Sequence, residues 1–271
     1  MSLTHSQFFH RLESLPLGKL WVFGVKQAWA ALFGGLILLA LIVTTYLPLP
    51  WLGRYDWLFL IAIAIQLTML ATGLERPHEV ITIMTFHLVG LGMELFKTSS
   101  TIASWSYPGY AFFHAGHVPL FSGFMYAAVG SYIARSWRVF DLKFSSYPNR
   151  LATFLLALAI YINFFTHHYI VDIRYLLFGV ILYLYGRVMV SYKLNFRVHR
   201  MPIVLGFVLI AFFIWLAENI ATYARIWLYP NQLSHWRLVD ISKLGSWLLL
   251  MIISFILVDL LQFLRTKYQA H

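Results

Sequence analysis

The residues that could do chemistry in this chain gather at one end of its apolar segments. Two of them, Glu94 and Glu218, are acids placed about one turn inside an apolar stretch. A carboxylate at such a depth is costly unless it is paired or hydrated, so its presence predicts a polar cavity between helices. Burial would favour the protonated acid and proton transfer, whereas a neighbouring cation would favour the carboxylate. Lys97 follows Glu94 at i+3 and is predicted to be that neighbour.

A similar string of residues follows each acid. Trp-x-Tyr-Pro ends both strings, which run over residues 94–108 and 218–230, and small residues open the next apolar segment in each case. Four predicted spans separate the strings, and an even number keeps both on one side of a membrane. The recurrence predicts a parallel four-plus-four duplication, with half-repeats at residues 27–137 and 151–264. The alternative is that Trp and Tyr act only as interfacial anchors.

A second polar cluster surrounds the predicted turn between the fifth and sixth spans, at residues 163–174. His168 and Asp172 are four residues apart and would share a helical face if the sixth helix began near His167. This cluster could orient a catalytic histidine through a carboxylate, hold a divalent metal, or form a buried ion-pair latch. The spacing leaves all three open.

These observations define the candidate site. The predicted catalytic residues are the acids and bases Glu94, Lys97, His167, His168, Asp172 and Glu218. The predicted substrate-binding residues are their polar and aromatic neighbours Trp105, Tyr107, Asn163, Arg174, Asn219, Trp227, Tyr229, Lys243 and Trp247. We predict no cofactor. A divalent metal is the alternative, because His87, His114 and His117 add imidazoles on the same side, although no HxxxH or HExxH motif is present.

The composition defines the class of protein. Hydrophobic residues make up 61% of the 271 residues and charged residues 11%, with a mean hydropathy of +0.74. This is too apolar for a soluble domain and predicts an all-α, polytopic membrane bundle. The absence of cysteine excludes thiolate ligands and cysteine nucleophiles. Eight spans are predicted, at residues 27–49, 57–73, 79–96, 118–137, 151–165, 170–192, 203–223 and 244–264.

The net charge of +10 is better explained by membrane topology than by nucleic acid, because Lys and Arg lie in short loops between apolar segments. Their distribution predicts a membrane protein with both termini in the cytoplasm. Residues 1–26 would form a cytoplasmic or interfacial segment, 27–264 one transmembrane domain and 265–271 a cytoplasmic tail. The expected partners are membrane lipids and a hydrophobic small-molecule substrate. The oligomeric state stays open.

Several motifs together resemble one known family. They are Glu94-x-x-Lys97, Trp105-x-Tyr107-Pro108, the nine residues 118–126 (VPLFSGFMY), the six residues 163–168 (NFFTHH) and Lys243-Leu244-Gly245-Ser246-Trp247. This set is similar to the YoaT family of bacterial integral membrane proteins and covers nearly the whole chain beyond the first span. No activity is assigned to that family, so the resemblance implies a protein of the bacterial cytoplasmic (inner) membrane but no chemistry.

The layout of an acid, an aromatic loop and a following helix, used twice, is also similar to carotenoid-modifying membrane proteins. These are the heterodimeric-type lycopene cyclases and the bacterioruberin-pathway hydratases, which act on polyenes through intramembrane acids without redox cofactors. The likeness implies that Glu94 and Glu218 donate protons or stabilise carbocations. The paired-acid strings of the cyclases are absent here, and Lys97, His167 and His168 have no counterpart.

The sequence therefore favours cofactor-independent acid–base chemistry on an isoprenoid or other lipid, such as cyclisation, hydration or isomerisation. An acid would protonate an alkene, and aromatic side chains could stabilise a developing cation. A transporter or proton-coupled permease is the main alternative, since internal duplication is common among transporters. A metal-dependent lipid enzyme and a non-catalytic assembly subunit are the others.

Overall fold

The computed structural model describes residues 17–47, 49–195 and 197–269. Nine α-helices form most of this part of the chain: α1 (Gly18–Ala30), α2 (Leu32–Tyr46), α3 (Arg54–Ala71), α4 (Pro77–Lys97), α5 (Ser122–Val139), α6 (Arg150–Thr166), α7 (Arg174–Tyr185), α8 (Ile203–Tyr223) and α9 (Lys243–Gln269). The strands are β1 (His114–Ala115), β2 (Val118–Pro119), β3 (Lys143–Ser145), β4 (Met189–Leu194) and β5 (Arg197–Pro202).

Four of these helices are long and apolar enough to cross a membrane: α3, α4, α8 and the Lys243–Leu264 part of α9. Helices α1 and α2 make a fifth candidate only if they form one span, although they are bent by 75° at their junction. The protein is thus mostly helical with four or five candidate spans, as fits a membrane protein. The structure does not support the predicted eight.

The predicted sixth span shows why hydropathy overcounts. It was expected at residues 170–192, but α7 begins at Arg174 and ends at Tyr185. Its 12 residues extend only about 18 Å, against a hydrocarbon core of about 30 Å. The apolar residues that follow, such as Val190 and Leu194, are buried in strand β4. A hydropathy window adds such strand residues to the neighbouring helix.

A small antiparallel sheet accompanies the helices, so the all-α prediction is corrected to mostly helical. Strand β4 pairs with β3 on one side and with β5 on the other. The sheet lies where α5 and α7 end and where α8 begins, and we call this side of the bundle the sheet end. The opposite side, where α4, α6 and α8 end and where α5, α7 and α9 begin, is called the site end.

The predicted duplication of the whole chain is not supported. Residues 72–76 connect α3 to α4 directly, whereas the β4–β5 hairpin separates α7 from α8. Helix α3 has 18 residues and α7 has 12. The orientation across a membrane, with both termini in the cytoplasm, stays a prediction. Residues 1–16 and 270–271, part of the predicted terminal segments, lie outside the described residues.

Helices α4 and α5 pack closely because glycines lie between them. A Cβ atom added at Gly90 would lie 2.5 Å from Tyr126 Cδ2 and 2.7 Å from Tyr126 Cβ. One added at Gly123 would lie 2.5 Å from His87 Nδ1. Small residues let two helix backbones approach in this way. The consequence is that Tyr126 lies over Gly90, one turn before Glu94, and its hydroxyl group reaches the Glu94 carboxylate.

Replacing Gly90 with Ala should displace Tyr126 and destabilise the protein. Overpacking of this kind costs about 1–3 kcal/mol, which exceeds the gain in helix propensity of about 1 kcal/mol. The matched control is Gly92→Ala on the same helix, since nothing lies within 4 Å of a Cβ atom there. Thermal unfolding in detergent should show a lower midpoint for Gly90→Ala only. Equal midpoints for the two variants would show that α4 and α5 do not approach closely at Gly90.

Candidate functional site

Glu94 lies at the end of α4 and is only 2% exposed. Its Oε2 atom accepts hydrogen bonds from Trp105 Nε1 and the Tyr107 hydroxyl, both at 2.8 Å, and its Oε1 atom accepts one from the Tyr126 hydroxyl at 2.8 Å. Three protein donors therefore satisfy this buried carboxylate, as a buried acid requires. Burial and the nearby Glu94 charge raise the pKa of Tyr107 well above its usual value, so that Tyr107 stays a donor.

Glu218 lies at the matching position of α8 and is 3% exposed. Its Oε1 atom accepts a hydrogen bond from the Tyr229 hydroxyl at 2.6 Å, and its Oε2 atom accepts one from Trp247 Nε1 at 2.6 Å. Burial and the Glu218 charge raise the pKa of Tyr229 well above its usual value. Each acid is thus held by one indole and at least one phenol.

The two aromatic strings meet at a single antiparallel bridge. Ser106 and Leu228 exchange both backbone hydrogen bonds, each with a nitrogen–oxygen distance of 2.9 Å. Because Trp and Tyr flank the bridged residue in each string, the bridge brings Trp105 beside Tyr229, with their rings edge to face at a centroid distance of 6.2 Å. The correspondence that the sequence predicted between the strings is therefore present locally, at the site.

The first turn of α3 fixes both strings. The Tyr55 hydroxyl group donates a hydrogen bond to the Ile226 carbonyl oxygen, within the second string, at 2.7 Å. Asp56, which is buried, accepts the backbone N–H groups of Phe112 and Phe113 at 3.0 and 2.8 Å, just after the first string. Tyr55 and Asp56 thus form hydrogen bonds with backbone groups of both loops, and because they are adjacent in one helix they hold the two loops at a fixed separation.

Lys97 does not pair with Glu94, contrary to the prediction from their i+3 spacing. Its Nζ atom lies 2.8 Å from His168 Nε2 and 3.4 Å from His167 Nε2. His167 Nδ1 lies 2.8 Å from the Asn163 carbonyl oxygen, so Nδ1 is the protonated nitrogen and Nε2 can accept from Lys97. The Glu94 carboxylate is already satisfied by aromatic donors, which leaves the ammonium group to the histidines.

His168 and Asp172 do not form the predicted pair either, because α6 ends at Thr166 and α7 begins only at Arg174. Asp172 instead accepts hydrogen bonds from Asn163 Nδ2 at 3.0 Å and from Arg174 Nε at 2.5 Å. Although burial alone would raise it, these hydrogen bonds hold the pKa of Asp172 below its usual value. Asp172 thus forms the ion pair of the latch interpretation, but the pair is not buried, since the side chains of Arg174 and Asp172 are 28% and 27% exposed.

A cavity of about 260 Å³ opens between these groups. Ten predicted site residues line it: Lys97, Trp105, Asn163, His167, His168, Arg174, Glu218, Tyr229, Lys243 and Trp247. Five predicted site residues do not: Glu94, Tyr107, Asp172, Asn219 and Trp227.

Three of these five residues have other roles in the structure. Glu94 lies behind Trp105 and Tyr126, which do line the cavity. Asn219 holds the following loop by accepting the Val239 N–H group at 2.8 Å, and Trp227 is buried in the apolar core.

Tyr126 is the site residue that sequence reasoning missed. It connects Glu94 to the cavity, yet a tyrosine within an apolar helix looks like any core aromatic residue. Its only sequence signal is its place in the 118–126 motif.

The candidate metal ligands do not converge. Among the described residues, no three His, Asp or Glu side chains come together in a way that could hold a metal ion. His87 packs against Phe124, and His114 is exposed, with its Nδ1 atom 2.6 Å from the Gly116 carbonyl oxygen. The predicted divalent metal therefore gains no support from this geometry and stays an untested alternative.

A family model described as a protein of unknown function (DUF817) matches residues 19–255 of the chain. The chain belongs to the DUF817 family. The uncharacterized protein YoaT of Bacillus subtilis (strain 168) is 47% identical over 236 residues, which cover 87% of this chain and 89% of that relative. No solved structure matches the chain.

The predicted relationship to the YoaT family is confirmed, whereas the likeness to carotenoid cyclases is not shown. All the site residues of this DUF817 protein lie within the matched range.

Acid should destabilise this DUF817 protein through His168. Burial and the nearby Lys97 charge lower the pKa of His168 from 6.5 to about 4 in the folded state. Between these values the unfolded chain binds a proton that the folded protein does not, so the free energy of unfolding falls as the pH falls.

The test is the unfolding midpoint measured from pH 7.5 down to pH 4.5. His168→Asn keeps a neutral acceptor that does not titrate and should lose less stability than the wild type over this window. The exposed His114→Asn is the control for loss of one imidazole and should follow the wild type. Identical pH profiles for all three proteins would show that His168 does not cause the loss of stability in acid.

Proposed function

We propose that this protein is an integral membrane enzyme that transfers protons on a lipid substrate without a redox cofactor, in the cavity at the site end. The observation that supports this most is the pairing of each buried acid with a tyrosine that lines the cavity. Glu218 is paired with Tyr229 and Glu94 with Tyr126. The sequence indicates acid–base chemistry, and we propose a lipid as its substrate.

The donors around each acid permit both of its protonation states. An indole N–H group can only donate, so Trp105 and Trp247 each hold one carboxylate oxygen as an acceptor. A phenol hydroxyl group can donate to a carboxylate or accept from a carboxylic acid. When Glu218 takes up a proton, the Tyr229 hydroxyl can reverse and keep its hydrogen bond. The pair can therefore pass a proton to or from the cavity without leaving a buried group unsatisfied.

A second proton-transferring group lies across the same cavity. The Lys97 ammonium group contacts the Nε2 atoms of His167 and His168, and all three side chains line the cavity. A base on one side of a substrate and an acid on the other can remove and replace protons in one reaction. Glu218 with Tyr229 would be one partner, and Lys97 with the histidines the other.

The charge of the cavity favours a proton shift over cyclisation. Aromatic rings of Trp105, Tyr229 and Trp247 could stabilise a carbocation, as cyclisation would require. However, Lys97 and Lys243 line the same cavity, and cations nearby would raise the energy of a carbocation. Isomerisation through an anionic intermediate, which ammonium groups stabilise, fits this charge better.

A transporter is less well supported. The bent α1–α2 pair is the described element that most resembles a broken transporter helix. Neither α1 nor α2 contributes a residue to the cavity lining. The cavity instead lies at the ends of helices, whereas transporter sites lie near the middle of the membrane.

The proposal is tested by comparing the lipids of cells that contain or lack the protein, and by incubating lipids from the cells that lack it with the purified protein in D₂O. A lipid whose amount depends on the protein should carry solvent deuterium at the site of the proton shift. Glu218→Gln and Tyr229→Phe should lower its formation by about 10²–10⁴-fold, the usual contribution of a general acid or base. The control is Tyr183→Phe, at a tyrosine that is 86% exposed, which should behave as wild type when present in equal amount.

Two outcomes would contradict the proposal. One is a lipid profile that does not depend on the protein. The other is a protein-dependent lipid that acquires no deuterium or that forms normally with Glu218→Gln.

A further inference from the structure

We propose that the cavity binds a phosphate group, and that this phosphate is the polar head of the lipid on which the protein acts. Three side chains, Lys97, Lys243 and Arg174, would contact it. This inference rests on the proposed function and adds the class of substrate. It is argued from the positions of these cations and from the lack of a paired carboxylate at the two lysines.

Lys97 is the strongest indication. It is only 5% exposed, and its Nζ atom contacts two imidazoles. Among the described residues, no carboxylate lies within 4.0 Å of Lys97 or of Lys243, since all four ion pairs involve other residues. A buried cation without a counter-ion is costly, which predicts that an anion neutralises it during function.

Lys243 gives the second indication. It is the first residue of α9, and Ser242, Ser246 and Trp247 of the same helix start line the cavity with it. The N-terminus of a helix carries partial positive charge, so a lysine there is unfavourable unless an anion is bound nearby. Backbone N–H groups, a serine hydroxyl and an ammonium group at one helix start are the groups that bind phosphate in many proteins.

Arg174, the first residue of α7, is the third cation at the cavity. Its Nε atom is held by Asp172 Oδ2 at 2.5 Å, which orients the guanidinium group and leaves its two terminal nitrogens for a ligand. Arg174 lines the cavity with 28% of its side chain exposed. A planar guanidinium group can bind two phosphate oxygens at once.

The remaining charges do not cancel this positive field. Glu218 is the one carboxylate among the lining residues, and Tyr229 and Trp247 already donate to it. Asp172 is engaged by Arg174 and Asn163 and does not line the cavity. His167 and His168 are neutral acceptors, because burial lowers the pKa of each. Two lysines without a paired carboxylate, with the Arg174 guanidinium group beside the same cavity, favour a doubly charged phosphate monoester over a singly charged carboxylate.

The position of the phosphate would connect binding with chemistry. Lys97 and Lys243 line the same cavity as Tyr126 and Tyr229, the tyrosines that link the acids to it, and Lys243 Nζ is 4.5 Å from the Tyr229 ring centroid. A phosphate held by the lysines would place the adjoining carbons of a lipid next to the tyrosine hydroxyls. Anchoring a remote group to position the reacting atoms is a common use of binding energy.

Binding is measured on the purified full-length protein in nanodiscs of phosphatidylcholine, with the change in intrinsic tryptophan fluorescence as the signal, to which Trp105 and Trp247 of the cavity contribute. The probes are dihexanoyl phosphatidic acid, inorganic phosphate and dihexanoyl phosphatidylcholine. Phosphatidic acid should bind, and phosphatidylcholine should not. Lys97→Met and Lys243→Gln should each weaken binding by about tenfold or more, through loss of a charge-assisted contact. Lys193→Gln, at the exposed Lys193–Asp141 pair of the sheet end, is the control and should bind as wild type.

The inorganic phosphate arm separates the two sources of the group. Weak binding of inorganic phosphate that competes with phosphatidic acid supports a lipid head group in this site. Inorganic phosphate that binds as tightly as phosphatidic acid would assign the site to free phosphate and overturn the lipid part of the inference. Failure of both to bind, or binding unchanged in both lysine variants, would overturn the whole inference.

Two further measurements keep the result interpretable. Lys97→Met should unfold at the same or a higher temperature than the wild type without ligand, because it removes an unpaired buried charge. If that variant does not fold, the inference about an unpaired cation fails with it, and Lys243→Gln still tests the phosphate site.

Glu218→Gln should keep phosphate binding while losing deuterium transfer. Phosphate binding without deuterium transfer in the wild type would refute the proposed function, and with it the identity of the lipid as substrate, but would leave the phosphate site. Deuterium transfer without phosphate binding would refute the phosphate site and leave the proposed function.

Discussion

The cost of burying two carboxylates determines how the site end of this protein is built. Glu94 and Glu218 are 2% and 3% exposed, and each needs donors that the helix itself does not supply. Trp105, Tyr107 and Tyr229 supply some of them from the following loops, so each loop must fold back over its own helix end. Tyr126 of α5 and Trp247 of α9 supply the rest. Because the same loops also meet at the Ser106–Leu228 bridge, satisfying the two acids encloses one cavity. Removal of the acids would leave the loops without their main polar contacts.

The enclosing elements also explain why the cations remain unpaired. Aromatic donors already occupy the carboxylate oxygens, so Lys97 contacts histidines and Lys243 lies over the Tyr229 ring. Acids held by neutral donors can change protonation state, whereas acids held in salt bridges are kept ionised. Cations held by neutral groups remain available to an anionic ligand. The separation of acids from cations is therefore the property on which both the proton chemistry and the phosphate site depend.

Sequence reasoning found the acids but could not assign their partners. Glu94 and Glu218 are recognisable because carboxylates are rare in apolar segments, and the recurring Trp-x-Tyr-Pro element contains three of their five donors, Trp105, Tyr107 and Tyr229. The i+3 spacing wrongly paired Lys97 with Glu94, because local spacing says nothing about donors arriving from a loop. Hydropathy predicted a span at 170–192 because it does not distinguish the short helix α7 from strand β4. Tyr126 was missed because its role depends on the close approach at Gly90.

The most direct test of the shared cavity is a disulfide between the two strings. The chain has no cysteine, and a hydrogen-bonded antiparallel pair has Cα atoms about 5.5 Å apart, within the disulfide range of about 4.4–6.8 Å. Ser106→Cys with Leu228→Cys should therefore cross-link within one chain under mild oxidation, as measured by intact mass after thiol alkylation. The pair Ser106→Cys with Ser145→Cys, whose second site is at the sheet end, should keep free thiols. Free thiols in the first pair, or equal cross-linking in both, would contradict a cavity enclosed by the two strings.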